Sequence, residues 1–187
     1  MKFNLIVAMC EKSRGIGSLN RLPWTIKNDM KRFVELTTGN KNNSIIMGKN
    51  TWDSLPKKPL KNRKNIILST SMQNTKNIQF NQIKKQQVSV FNDVNDLLYG
   101  IQHNKLEENW IIGGEQIYKE FLDLNIVSKL YITNVISDVE KYDVFFPTLS
   151  NNFKQIYKSD YITEQKIIGP TIRKYKYYYE IFENDFI

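Results

Sequence analysis

Asp29 is the residue of this chain best placed for acid–base chemistry. It follows Trp24 of Leu22-Pro23-Trp24 by five positions, at the start of a segment that reads as a helix from Pro23 to Leu36. The apolar positions Ile26, Met30, Phe33, Val34 and Leu36 recur there at three- and four-residue spacing. Asp29 falls on or beside that apolar face. A carboxylate so placed is desolvated unless something hydrogen-bonds it or it takes up a proton. The plainer alternative is a first-turn aspartate that only favours the helix dipole.

Two strand-to-helix junctions are shaped for a ligand with phosphates. In Gly113-Gly114-Glu115-Gln116-Ile117-Tyr118 an apolar run meets a helix, and two glycines let the main chain approach a ligand closely. In Met47-Gly48-Lys49-Asn50-Thr51-Trp52 a strand again ends in glycine, with a lysine at hand for phosphate charge. Neither matches the GxGxxG fingerprint or the GxxxxGK[ST] phosphate loop. Together they suggest an extended ligand such as a dinucleotide at the C-terminal ends of the strands. Ser69-Thr70 would add hydroxyl contacts, and Gly15-Ile16-Gly17, in a polar loop, reads as either a flexible connection or a closing lid.

The elements that must hold these residues alternate. FNLIVAM at 3–9 is an apolar run suited to a strand covered on both faces. Further strands are expected at 44–47, 65–69, around Ile78 to Phe80, at 88–91 and at 110–112. A short helical turn is expected at 50–55, a helix at 92–99 ended by Gly100, and another at 115–122. Stretches 40–43 and 73–77 read as exposed loops. From residue 128 the rhythm becomes strand after strand: 129–135, 153–164 and 171–182, with Glu164 to Pro170 as a hairpin connection. This pattern predicts one α/β domain over 1–187. Its central sheet is mostly parallel and mixed, with an antiparallel C-terminal edge and about four flanking helices.

Composition narrows the class. At 41% hydrophobic and 25% charged residues the chain fits an ordinary globular protein, and no run suits a membrane span or a signal peptide. One cysteine, Cys10, excludes an internal disulfide, and a single histidine, His103, argues against zinc, so no metal and a cytoplasmic setting are expected. The net charge of +8 favours anionic ligands, but the lysines are scattered, so nucleic acid is not an expected partner.

Taken in order, Ile6-Val7-Ala8-Met9, Gly15-Ile16-Gly17, Leu22-Pro23-Trp24, Asp29, Phe33 and Met47-Gly48-Lys49-Asn50-Thr51-Trp52 form a specific set. Pro59-Leu60-Lys61-Asn62-Arg63, Ile111-Ile112-Gly113-Gly114, Tyr118, Thr133 and Asp143-Val144-Phe145-Phe146-Pro147 continue it. The set resembles dihydrofolate reductase over essentially the whole chain, at the length of its eukaryotic-type version.

The resemblance implies hydride transfer from NADPH to C6 of dihydrofolate with protonation of N5, serving one-carbon metabolism and thymidylate and purine synthesis. It implies Asp29, Trp24 and Thr133 as the catalytic group, with Asp29 binding the pterin edge. Ile6, Val7, Ala8, Met30, Phe33, Ile112 and Tyr118 would surround the rings, and Ser54, Leu55 and Leu60 would line the benzoyl channel. Arg63 would take the substrate's α-carboxylate in a two-pronged salt bridge. Ala8, Ile16, Gly17, Gly48, Lys49, Asn50, Thr51, Leu68, Ser69, Thr70, Ile112, Gly113, Gly114, Glu115, Gln116, Ile117 and Tyr118 map onto the cofactor site, with the Gly113–Gly114 peptide expected cis. A monomer open to antifolate inhibitors is also implied.

Two positions depart from vertebrate-like members, which carry arginines where this chain has Thr70 and Asn92. Both arginines would help hold a 2′-phosphate, so Lys49 and Ser69 are left to supply the NADPH preference. Two rival readings remain. One is a reductase of the same fold acting on another pterin-like or ribosylated pyrimidine substrate, which would not need both Asp29 and Arg63. The other is a basic nucleic-acid-binding module.

Overall fold

A computed structural model of the chain describes residues 1–72, 87–104, 106–137 and 141–187. The elements in order are strands β1 (Phe3–Cys10) and β2 (Gly15–Gly17), helix α1 (Lys27–Thr38), β3 (Ser44–Gly48), α2 (Lys49–Ser54), β4 (Lys64–Leu68) and β5 (Val88–Phe91). Then come α3 (Val94–Asn104), β6 (Asn109–Gly113), α4 (Glu115–Asp123), β7 (Val127–Ile136), β8 (Val144–Phe145), β9 (Phe153–Lys158), β10 (Ile162–Ile168) and β11 (Thr171–Asn184). The main sheet runs β10-β11-β7-β1-β6-β3-β4-β5. Neighbours from β7 to β5 are parallel, and β11 lies antiparallel to β7. The expected mixed sheet with an antiparallel C-terminal edge is therefore what forms, with four helices among the described residues. None of these helices is long and apolar enough to cross a membrane.

The alternation along β1 separates two cores. Phe3, Leu5 and Val7 pack with Leu97 and Ile101 of α3 and with Ile117 and Phe121 of α4. Ile6 turns to the other face, where Met47 and Trp110 meet Phe33 and Leu36 of α1. Strands covered on both faces need apolar residues at odd and even positions alike, which explains the almost continuous run. Because β6 returns between β1 and β3, the C-terminal ends of β3 and β6 lie side by side.

Several expectations are corrected. Gly100 does not end the third helix, which spans Val94–Asn104 with Gly100 buried inside it. Asp93 caps its start through the amides of Asn95 and Asp96. Burying Leu97 and Ile101 is worth roughly 1.5–3 kcal/mol each, against about 1 kcal/mol for an interior glycine. The stretch 153–164 is broken: β9 and β10 are two halves of one edge along β11, interrupted at 159–161. There the Ser159 amide donates to Tyr179 O, and the Ser159 hydroxyl accepts the Tyr179 amide. Glu164 to Ile168 is strand, and only Gly169-Pro170 turns. The loop after β1 holds the short β2, paired with β8. In 40–43, Asn43 is buried, bonding Thr37 O and the Glu108 amide. The strand expected around Ile78 to Phe80 and the loop 73–77 lie outside the described residues.

Candidate active site

Asp29 stands in the first turn of α1, and its Oδ1 accepts a hydrogen bond of 2.6 Å from the Thr133 hydroxyl of β7. Thr133 is buried and in register with Ala8 of β1. Burial pushes the Asp29 carboxyl above its ordinary value; the Thr133 bond and the Arg32 charge oppose this, and the Glu164 charge adds to it. Trp24 is buried beside this end of the helix with Ile26, and its indole Nε1 has no hydrogen-bond partner. An orphaned buried donor close to a desolvated carboxylate is a place where a polar atom is required.

Partly buried apolar side chains gather beside α1, the helix that carries this carboxylate. Phe33 of the helix, Leu55, Leu60 and Ile112 are half-buried against the cluster that contains Ile6 and Met47. At the far end Arg63 is buried, not the solvated surface arginine that isolated sequence allows. Its Nη1 donates to Thr37 Oγ1 at 2.8 Å, its Nε to Lys61 O at 3.0 Å, and its guanidinium lies 5.7 Å from the Phe33 ring centre. Asn65 fixes the loop that presents it: its Oδ1 accepts from the Leu60 amide, and its Nδ2 donates to Leu60 O and Arg63 O. Asp29 and Thr37 are eight residues apart on one helix, so acid and cation are separated by about 12 Å along its axis.

Not every expected residue joins this group. Val7 points its side chain into the opposite core, leaving only its main chain on the site side. The Tyr118 ring is buried in that same core, and its hydroxyl donates to Ile6 O at 2.9 Å. Met30 is half exposed and lines an open apolar groove with Ile26 and Val34. Ser54 is exposed at the end of α2, bonded to Thr51 O.

The two glycine junctions meet. Gly48 and Gly114 are the N-caps of α2 and α4, neither capped by a side chain. A Cβ on Gly48 would lie 3.1 Å from Ile117, and one on Gly113, at φ +109°, 2.9 Å from the Tyr118 ring. A Cβ on Gly114 would sit 3.5 Å from Thr51 Oγ1. The Gly113–Gly114 peptide is cis. Lys49 is exposed and bonded to Asp53, Asn50 and Gln116 are exposed, and Leu68 is buried at the end of β4. This glycine-lined cradle with free helix amides fits the diphosphate of a dinucleotide.

Ile16 is buried, and Gly15 and Gly17 pair with Phe145 and Val144. A Cβ on Gly15 would enter the Tyr142 ring, so glycine is required there. Asp143 holds the loop by accepting the Leu19 amide at 2.8 Å, and Glu115 accepts the Phe145 amide. Beyond β4, Ser69 Oγ contacts Ser71 Oγ and Thr70 is exposed. Asn92 is not free to bind phosphate: its amide donates to Ser69 O and Met72 O.

Sequence reasoning missed Glu164, whose carboxylate accepts the Lys27 and Asn28 amides at 2.6 and 3.0 Å and so caps α1 from β10. One signal was present: the helix opens on Ile26, which has no side-chain acceptor, so a distant one was needed. It also missed Arg32, which stacks on Tyr179, and Tyr142, which packs on Trp24.

A family model described as dihydrofolate reductase matches residues 2–183. The chain is 37% identical over 162 residues to the viral dihydrofolate reductase of Saimiriine herpesvirus 2 (strain 488), covering 81% of this chain and 71% of that protein. It is 33% identical over 162 residues to the dihydrofolate reductase of Drosophila melanogaster, covering 83% and 85%. With that of Schistosoma mansoni it is 38% identical over 155 residues, covering 79% and 78%.

Proposed function

The chain belongs to the dihydrofolate reductase family, and on that premise we propose how its residues divide the work and that its nicotinamide cofactor is NADPH. The enzyme is an oxidoreductase that reduces dihydrofolate to tetrahydrofolate, with a small-molecule substrate and a nicotinamide cofactor. The observation that carries the residue assignment is the Asp29 carboxylate at one end of α1 and the buried Arg63 guanidinium at the other, with partly buried apolar side chains beside the helix. A ligand with a hydrogen-bonding ring edge, an aromatic middle and a terminal carboxylate meets all three. A ribosylated pyrimidine would bring no carboxylate to Arg63.

Asp29 accepts hydrogen bonds from the pterin's amino group and ring nitrogen and fixes the ring. Thr133 orients the carboxylate, and the unpartnered Trp24 Nε1 holds a water beside it. Burial, which favours the protonated acid, ties Asp29 to the delivery of a proton toward N5. Ile6, Ala8, Phe33 and Ile112 exclude water from the reacting rings, with Met30 closing the outer side. Leu55 and Leu60 hold the benzoyl group, with Ser54 at the channel rim. Arg63 receives the α-carboxylate in a two-pronged contact.

When bound, NADPH supplies the hydride. Gly48, Gly113 and Gly114 admit its diphosphate, and the amides of Glu115, Gln116 and Ile117 donate to it. Lys49, Asn50, Thr51, Ser69 and Thr70 face the ribose phosphate; Ala8, Ile16, Gly17, Leu68 and Tyr118 enclose the rest. The chain acts as a cytoplasmic monomer of one domain spanning 1–187, and the site that takes folate also takes antifolate inhibitors. Decay of NADPH absorbance with dihydrofolate tests the whole reading: turnover in the parent and its near absence in Asp29→Asn are expected. Equal turnover of the two proteins overturns the role given to Asp29.

A further inference from the structure

Arg32 is a half-buried cation that the chemistry assigned above leaves without a part. It lies three residues after Asp29 on α1, so the two side chains emerge from neighbouring positions on the helix surface. Its guanidinium carbon is 4.2 Å from the centre of the Tyr179 ring and 5.8 Å from that of Tyr131. One terminal nitrogen, Nη1, is buried without a hydrogen-bond partner. Burial pushes its acidity up from the ordinary arginine value, while Tyr179 and Asp29 act in the opposite sense. Aromatic faces offset only part of the desolvation of a guanidinium. As a structural plank against tyrosines, an apolar side chain would serve with less cost.

The charged and titratable groups around this end of α1 come from four strands. Tyr131 and the Thr133 hydroxyl face it from β7, and Tyr177 and Tyr179 from β11. Tyr157 of β9 faces Arg32, and Glu164 of β10 brings a carboxylate over the first amides of the helix. Among the described groups acting on Asp29, Glu164 is the anion and Arg32 the cation. The acid thus sits between two opposed fields, one from its own helix and one from the edge strand.

We infer that Arg32 is a positioning residue for the reduction: stacked on Tyr179 three residues beyond Asp29 on α1, its charge, opposite in sign to that of Glu164, holds the Asp29 carboxylate toward Thr133. The inference rests on Asp29 being the acid that grips the pterin, and it deepens that reading. Without Arg32 the acid would stay protonated to higher pH and present the wrong hydrogen-bonding pattern to the ring edge.

The test is an infrared difference titration of the Asp29 carboxyl, taken against D29N, in the parent and in R32M, R32K and E164Q without substrate or cofactor. The pH–rate profile of each protein is then measured with NADPH and dihydrofolate. R32M should raise the Asp29 midpoint by about one pH unit, E164Q should lower it, and R32K should stay near the parent. The limb of the rate profile that reports Asp29 should move with the midpoint. A folded R32M with the parent's midpoint overturns the inference, as does an R32K whose midpoint matches R32M. If R32M does not fold, E164Q decides: a midpoint that fails to fall shows Asp29 insensitive to its charged surroundings and overturns the inference. The titration needs no turnover, so a parent that does not oxidise NADPH defeats the reductase reading separately from the action of Arg32 on Asp29.

Discussion

The Thr133 hydroxyl donates to Asp29 Oδ1 at 2.6 Å, tying β7 to the first turn of α1 at a carboxylate that burial pushes toward its protonated form. The sign of its contribution to stability follows. A carboxyl whose folded pKa is raised favours folding fully below its unfolded value, and that contribution is lost as pH rises through the folded value. At neutral pH the ionised Asp29 therefore weakens the fold relative to a neutral isostere. Asp29→Asn should lose turnover by about 100-fold or more, while its thermal midpoint at neutral pH rises relative to the parent. The difference should shrink below the ordinary carboxylate range. A midpoint that falls at neutral pH would show that the carboxylate stabilises the native state.

Arg63 is positioned before any substrate arrives, by Thr37 Oγ1 and Lys61 O. Arg63→Lys keeps the charge but loses the fork. A charge-assisted hydrogen bond is worth about 1.5–3 kcal/mol, so KM for dihydrofolate should rise about 10- to 100-fold with kcat little changed. A reduced pterin lacking the glutamate should show the same KM with both proteins. Equal losses for the two substrates would mean that Arg63 only supports the loop from Leu60 to Arg63.

Gly113 has φ +109°, and an added Cβ would stand 2.9 Å from a Tyr118 ring anchored by its bond to Ile6 O. Neither the backbone nor the ring can give way easily. Gly113→Ala should cost about 1–3 kcal/mol of stability and weaken NADPH binding. Gly48→Ala meets the more flexible end of Ile117 at 3.1 Å with φ −80°, and its thermal midpoint should fall less. Calorimetry and cofactor titration of both variants check the order, and a reversed order would refute the packing argument.

The parts of the molecule that were legible in the chain are those written in local patterns. The almost continuous apolar run of β1 announced a strand covered twice, and the glycines at 48 and 113–114 announced close approach at strand ends. Asp29 was legible because it broke the polarity of a helical face. What stayed hidden depends on partners distant in sequence. Glu164 reads as turn-like beside Gly169-Pro170, yet it is strand because β11 is long enough to carry two strands along one edge. Gly100 reads as a stop, yet Leu97 and Ile101 bury enough surface to carry the helix past it. Arg63 reads as a surface cation, and only its seat against Thr37 and Phe33 of α1 takes it from water.

The cofactor preference turns on Thr70 and Asn92, which differ in what they already do. Thr70 is exposed just beyond β4, so its side chain can be replaced without disturbing a contact that the fold needs. Asn92 donates to Ser69 O and Met72 O, joining the end of β5 to the chain beyond β4. A guanidinium at position 70 would meet a 2′-phosphate in charge-assisted contact, worth about tenfold in affinity. Thr70→Arg should therefore lower KM for NADPH about tenfold and leave that for NADH unchanged, with the same thermal midpoint. Asn92→Arg removes the short amide that satisfies two carbonyls, so it should lower the thermal midpoint and gain less selectivity. If Asn92→Arg matched Thr70→Arg in selectivity at full stability, Asn92 would be an open phosphate position and not a tie between loops.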